Sequence, residues 1–217
     1  MTTIDQDRVV RTYAQASHTA HDALTALDQI SGDGDFGDNL REGLDRTVAA
    51  LDATDDASAT EVAGSVFLDE VGGTSGPLIG LLFSEIGRAL AGTADDRAGW
   101  TDGVRSGLAA IQRVGEAEPG DRTLVDALVP ALAALEGDDS WTGVAEAALS
   151  GAAATAGTRA RRGRASYVGE RAVGNPDPGA TGVALLFWAL ARVAEPDSGL
   201  GDIEELVPVP TDRDRAG

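Results

Sequence analysis

Apolar positions in this chain recur every three or four residues along most of its length and almost never alternate. Val10, Tyr13, Ser17, Ala20, Leu24 and Leu27 follow this step, as do Leu40, Leu44, Val48 and Leu51. It continues through Leu78, Leu81, Leu82, Ile86 and Leu90, then Trp100, Val104, Leu108, Ile111 and Val114, then Leu124, Leu128, Leu132 and Leu135. A repeat near 3.6 places side chains on one face of an α-helix. A short helix over Val62 to Asp69, an Ala-rich one opened by Asp139 or Ser140 and running to about Arg161, and an apolar one from Gly182 to Val193 bring the expected count to about eight. Aromatic residues are only 4% of the chain, so strands, which favour aromatic and β-branched side chains, are poorly supplied. The expected fold is all-α: a single-domain, antiparallel eight-helix bundle or barrel over 1–195, with an irregular Pro- and Asp-rich tail over 196–217.

The breaks between helices carry the chemistry. The segment Asp28 to Asn39 reads D-Q-I-S-G-D-G-D-F-G-D-N, so Asp33 and Asp35 follow Asp28 by five and seven residues with Gly34 between them. Alternate residues of an extended Gly-rich turn point the same way, so Asp33 and Asp35 are expected to converge while Asp28 closes from a helix end. Three oxygen donors on permissive backbone suit Mg²⁺ shared with substrate phosphates.

Further along, Ser58 and Glu61 have capping-box spacing. Val71-Gly-Gly-Thr-Ser-Gly-Pro77 forms a turn that offers N–H groups and hydroxyls to an anion, with Pro77 placed to start a helix. Glu118 to Thr123 forms another turn, with Asp121 as the expected N-cap of the next helix. Arg159, Arg161, Arg162 and Arg164 make the only basic cluster, and Gly163-Arg164-Ala165-Ser166 is a turn that could aim Arg164 at a phosphate. These four Gly-containing loops follow helices one, three, five and seven. In an antiparallel bundle every second loop lies at the same end, so all four are expected at one rim.

Composition excludes several functions. There is no Cys, hence no disulfide, thiolate zinc site or Cys nucleophile. All 17 basic residues are Arg; without Lys there is no Walker-type P-loop and no Schiff base. His18 and His21 share the first helix and read as an ordinary helix face, which makes a Ser-His triad improbable. Counting from Asp33, an EF-hand would need Gly and Glu where Asp38 and Leu44 stand. A net charge of -19 disfavours nucleic acid and anionic membranes as partners. The acids are spread along the chain, as expected for a surface adapted to molar salt; a docking face for a basic protein is the other reading. The N-terminus lacks an apolar h-region, and the longest uncharged apolar run, Ala180 to Ala191, is too short to span a bilayer. A soluble, cytoplasmic protein is expected. What remains is Mg²⁺ plus phosphate chemistry, with backbone amides and Arg164 stabilising charge.

Taken together, Asp28…Gly32-Asp-Gly-Asp…Gly37…Asn39, Gly72-Gly-Thr-Ser-Gly-Pro77, Gly120-Asp-Arg-Thr123 and Gly163-Arg-Ala-Ser-Tyr-Val-Gly-Glu-Arg171…Asp177-Pro-Gly-Ala-Thr181 resemble the nucleotide-binding L subunit of dihydroxyacetone kinase. The resemblance covers nearly the whole chain in order. It implies an eight-helix barrel with ADP or ATP at one end and two Mg²⁺ ions held by Asp28, Asp33 and Asp35. It further implies that Phe36, Gly37, Asp38, Asn39, Thr74, Ser75, Gly120, Val129, Arg164, Asp177, Pro178 and Gly179 line the nucleotide, with Arg164 the catalytic cation. Two positions depart from the family pattern: Phe36 stands where many relatives have His, and Arg122 where Lys is common.

The family works in two modes. A fused chain uses ATP as substrate, whereas separate subunits keep ADP bound and a phosphohistidine carrier rephosphorylates it. This sequence carries only the nucleotide-binding part, so the expectation is the second mode, with a dihydroxyacetone-binding subunit and a phosphohistidine carrier as partners. A kinase subunit for another small hydroxyl or acyl substrate, or a nucleotide-binding regulatory module, is the alternative.

Overall fold

The computed structural model describes residues 3–54, 57–162 and 172–210. Within them lie α1 (Gln6–Ser31), α2 (Phe36–Asp52), α3 (Ala59–Asp69), α4 (Ser75–Ala91), α5 (Asp96–Gly115), α6 (Val125–Glu136), α7 (Trp141–Ala154), α8 (Pro178–Ala194) and a one-turn α9 (Ile203–Leu206). The described residues contain no strand. Each helix from α1 to α8 packs on the next, and α8 returns to α1, which closes the ring of an antiparallel helical barrel. No helix among the described residues is long and apolar enough to cross a membrane.

Helix α8 is buried at every position from Pro178 to Ala191, as expected of a helix apolar all round. It is fixed to α1 by the buried Tyr13 hydroxyl, which donates to the Gly182 carbonyl at 2.8 Å. Elsewhere the ring is tightened by glycine. A Cβ on Gly103 of α5 would lie 2.5 Å from the Ile86 Cα of α4, so these helices touch backbone to backbone. At the far end of the barrel Glu195, just beyond α8, accepts from the N–H groups of Trp141 and Thr142 and so caps α7 from a neighbouring helix.

Several local expectations are corrected. Helix α1 does not stop at Asp28 but runs one turn further to Ser31. Helix α7 ends at Ala154, followed by a 3₁₀ turn over Thr155–Gly157, well short of Arg161. Pro77 lies inside the first turn of α4, which begins at Ser75. Ser58 is the N-cap residue of α3 but makes no capping bond; its hydroxyl instead bonds Gln6 Oε1 across to α1. Asp121 does not cap α6: its carboxylate accepts from the Glu118 N–H, and Asp126 inside the helix reaches back to the N–H groups of Gly120 and Thr123. The segment beyond Glu195 is not wholly irregular. Ile203 and Val207 are buried against the barrel, and Trp188 Nε1 donates to the Gly201 carbonyl at 3.1 Å.

Candidate active site

At one rim the loops after α1, α3 and α5 and the segment before α8 enclose a cavity of about 150 Å³. The parity of the helices puts it there: α1 and α5 end at this rim, while α2, α4, α6 and α8 begin there. First-turn residues of all four even-numbered helices line the space, Phe36, Ser75, Val125 and Pro178 among them. Helix N-termini carry partial positive charge, which suits an anion bound together with a cation held by the rim's aspartates.

Asp28, Asp33 and Asp35 all line the same cavity. Asp33 and Asp35 are exposed, and Asp28 is half-buried. They do not meet as a three-carboxylate cage: among the described residues no cluster of three acidic, His or Cys side chains is disposed around a common point. The reason is local. Asp28 sits in the last turn of α1, and its Oδ2 accepts the Phe36 N–H of α2 at 3.0 Å, so part of this carboxylate already serves as a cap between helices. Asp35 occupies the N-cap position of α2 in helical backbone geometry and makes no capping bond there. The donor set still fits magnesium, which takes few carboxylates and fills its shell with water and phosphate oxygens.

Asn39, Gly73, Thr74, Ser75, Pro178 and Gly179 complete the polar wall. Leu78, Ile111, Ala117, Leu124 and Val125 give the cavity an apolar part. On the sequence Leu78, Ile111 and Leu124 satisfy the helical repeat as well as any core residue, so nothing in their spacing distinguishes a cavity wall from a core.

Four residues expected at the ligand stand off this wall. Asp38 points along the outside of α2, pairing with His21 Nε2 at 2.9 Å and Arg41 Nη2 at 2.7 Å, and these partners, His21 foremost, lower its pKa. Gly37 packs on α1, where an added Cβ would strike Thr25 Oγ1. The Gly120 N–H is taken by Asp126 Oδ1, with the glycine at φ +90. Val129 packs against the core on α6. Arg164 and its turn lie outside the described residues. Its neighbour Arg162 lines the cavity and pairs with Glu116 Oε2 at 3.2 Å. His18 and His21 are surface partners of Asp45, Asp22 and Asp38, as an ordinary helix face would be.

Asp177 is the most perturbed group at the cavity. It caps α8 by accepting the Ala180 N–H at 2.8 Å, and only 7% of it is exposed. Burial pushes its carboxyl up to about 6, against the opposing influence of the Ala180 N–H and the Arg122 charge. The folded state therefore keeps a proton that the unfolded chain has released. This contribution to stability is present below about pH 4 and is lost as pH rises through about 6. Relative to wild type, Asp177→Asn is expected to gain roughly 2–3 kcal/mol of unfolding free energy between pH 4 and 8 in the ligand-free protein. Denaturant titrations at the two pH values check it, and a pH-independent difference would refute the assignment.

A closed helical ring with a mixed acidic and apolar pocket at one rim is the class of protein defined by these features. The family model described as DAK2 domain matches residues 30–192. The chain is 39% identical over 172 residues to the Listeria innocua protein named PEP-dependent dihydroxyacetone kinase 1, ADP-binding subunit DhaL, covering 78% of this chain and 85% of that one. It is 38% identical to the L-erythrulose 1-kinase of Mycolicibacterium smegmatis, over 85% of this chain but only 34% of that protein. Among solved structures, the dihydroxyacetone kinase from C. freundii in complex with AMP-PNP and Mg²⁺ superimposes with a TM-score of 0.69 at 27% identity, covering 88% of this chain and 35% of that one. The chain belongs to the DAK2 domain family.

Proposed function

We propose that this chain is the ADP-binding phosphotransfer subunit of a dihydroxyacetone kinase. In this reading the subunit presents its nucleotide to a phosphohistidine carrier, and the phosphoryl group then passes to dihydroxyacetone held by a partner subunit. The observation that carries the reading is the single cavity in which three aspartates, four helix N-termini and an apolar face meet. Those are the parts that a cation, a polyphosphate and an aromatic base each require. Its relation to a protein named as an ADP-binding subunit, at 39% identity over most of both chains, points the same way.

Each wall has a task. Asp28, Asp33 and Asp35 would hold two Mg²⁺ ions, which when bound neutralise phosphate charge. Thr74, Ser75 and Gly179 lie where helix starts offer N–H groups and hydroxyls to phosphate oxygens. Leu78, Ile111 and Leu124 give the base an apolar bed and exclude water. Arg164 would supply a further cation beside the transferred group. None of these tasks asks a side chain to become a nucleophile, in keeping with the absence of Cys and the surface placement of both His residues.

Mass spectrometry of the purified protein under native conditions tests this. Retained ADP that leaves on chelation of divalent cations is the expected result; protein that emerges empty and binds ATP only weakly would refute it. The similarity to an L-erythrulose kinase favours one competing reading, an ATP-dependent kinase subunit for a different small hydroxy-ketone. Phosphotransfer driven by ATP, and not by a purified phosphohistidine carrier, would favour that reading.

A further inference from the structure

Arg122 is an arginine with almost no exposure, 1%, and it lines the cavity. Its backbone is left-handed, φ +62, a conformation that side-chain-bearing residues rarely adopt and that persists where the surroundings enforce it. Its Nη2 donates to the Asn175 carbonyl at 2.8 Å, which spans from the turn after α5 to the segment before α8. Nε and Nη1 are buried and have no hydrogen-bond partner among the described residues. No carboxylate of the described residues makes an ion pair with it; Asp177 acts on it only through space. A guanidinium stays charged in a protein, and a buried, unpaired one is strongly unfavourable. The comparable orphan, Nη1 of Arg97, has an explanation, because that guanidinium stacks on Trp141 at 4.3 Å and bonds the Asp139 carbonyl. Arg122 has no such explanation among the described residues.

We infer that Arg122, in the lining of the cavity, binds a phosphate group of the nucleotide with the guanidinium donors that the protein leaves unpartnered. The inference rests on the nucleotide-site reading above and adds a residue to it. Arg122 sits in a left-handed turn beside the cavity, and its bond to the Asn175 carbonyl uses Nη2 alone, so Nε and Nη1 are not engaged by it. In the ligand-free protein the arrangement is a cost; with an anion present the missing partners are supplied. Lys at this position would keep the charge and three donors on one nitrogen, enough to meet a phosphate, but it lacks the planar fork with which Arg122 also holds the Asn175 carbonyl.

Arg122→Gln tests the inference through two quantities that a supporting role would move together. Stripped of nucleotide, the variant is expected to melt no lower than wild type, since a buried unpaired charge has gone. Its ADP affinity is expected to fall about 10- to 100-fold, the range of a charge-assisted hydrogen bond, while adenosine binds within about twofold of wild type. Parallel losses of melting temperature, ADP and adenosine binding would overturn the inference and assign Arg122 to loop support; unchanged ADP affinity would also overturn it. Wild-type protein that binds no ADP would instead refute the nucleotide site itself. If Arg122→Gln loses its helical circular dichroism, Arg122→Lys decides: ADP binding within about tenfold of wild type sustains the phosphate role, and a greater loss removes it.

Discussion

Asp33→Asn and Asp35→Asn are each expected to abolish nucleotide retention while leaving the helical circular dichroism of the protein unchanged. Both side chains are exposed and both line the cavity, so neither change opens a hole in the core. Asp35 stands at the N-cap of α2 but donates no capping bond to its stability, and an amide of the same shape costs that helix little. What each substitution removes is an anionic oxygen, and magnesium discriminates sharply between carboxylate and amide donors when its remaining ligands are water and phosphate. A drop in retained ADP of about 100-fold, which corresponds to roughly 2.7 kcal/mol, is the expected scale. Asp28→Asn would be less clean, because Asp28 Oδ2 also accepts the Phe36 N–H and its loss would disturb the start of α2. If either Asp33 or Asp35 variant kept its nucleotide and its activity, the metal assignment would be wrong.

The fold was largely legible because helical periodicity is strong in this chain and its interruptions are glycine-rich. About eight helices in antiparallel order follow largely from the repeat, and their parity is enough to bring the loops after α1, α3 and α5 and the start of α8 to one rim. The errors fall at helix ends, where a few residues of the repeat carry little information and capping partners come from elsewhere. Asp121 looked like the N-cap of α6, yet Asp126 makes those bonds from inside the helix. Ser58 looked like half of a capping box, yet its hydroxyl found Gln6 on α1, far away in sequence. Glu195 caps α7 across the same kind of distance. No local pattern contains such partners.

The site was legible in its loops and not in its walls. Asp28, Asp33, Asp35, Thr74, Ser75 and the turn before α8 were marked by composition, since Gly, Asp, Thr and Ser gather where no helix needs them. The apolar face was hidden because Leu78, Ile111 and Leu124 obey the same repeat as the core. Asp38 belongs to the acidic loop in sequence, but one helical turn rotates its side chain toward His21 and Arg41. Arg122 stood out only as a departure from the family pattern. Its burial and its unpartnered nitrogens depend on the left-handed backbone at that residue and on the Asn175 carbonyl fifty-three positions away.

Removal of salt is expected to unfold part of the ligand-free protein. The chain carries 36 acidic residues against 17 arginines. Its ion pairs, such as Arg11 with Asp7 and Asp52 or Arg105 with Asp102 and Glu136, lie at the surface, where each contributes little. Arginine is thus too scarce and too exposed to neutralise the acids pair by pair, and the excess negative charge repels itself over the whole surface. At about 1 M salt the Debye length is near 3 Å and this repulsion is screened; below about 0.1 M it extends beyond 10 Å and reaches across neighbouring helices. The aspartate rim should respond first, because Asp28, Asp33, Asp35 and Asp177 face one cavity and lose their cationic partners when nucleotide and metal are removed. Circular dichroism of chelator-treated protein, followed from about 2 M to 0.05 M KCl, is expected to show a progressive loss of helix that magnesium and ADP together reverse. A helical signal unchanged over that range would rule out salt adaptation as the reason for the acidic surface and leave a docking face for a basic partner as its explanation.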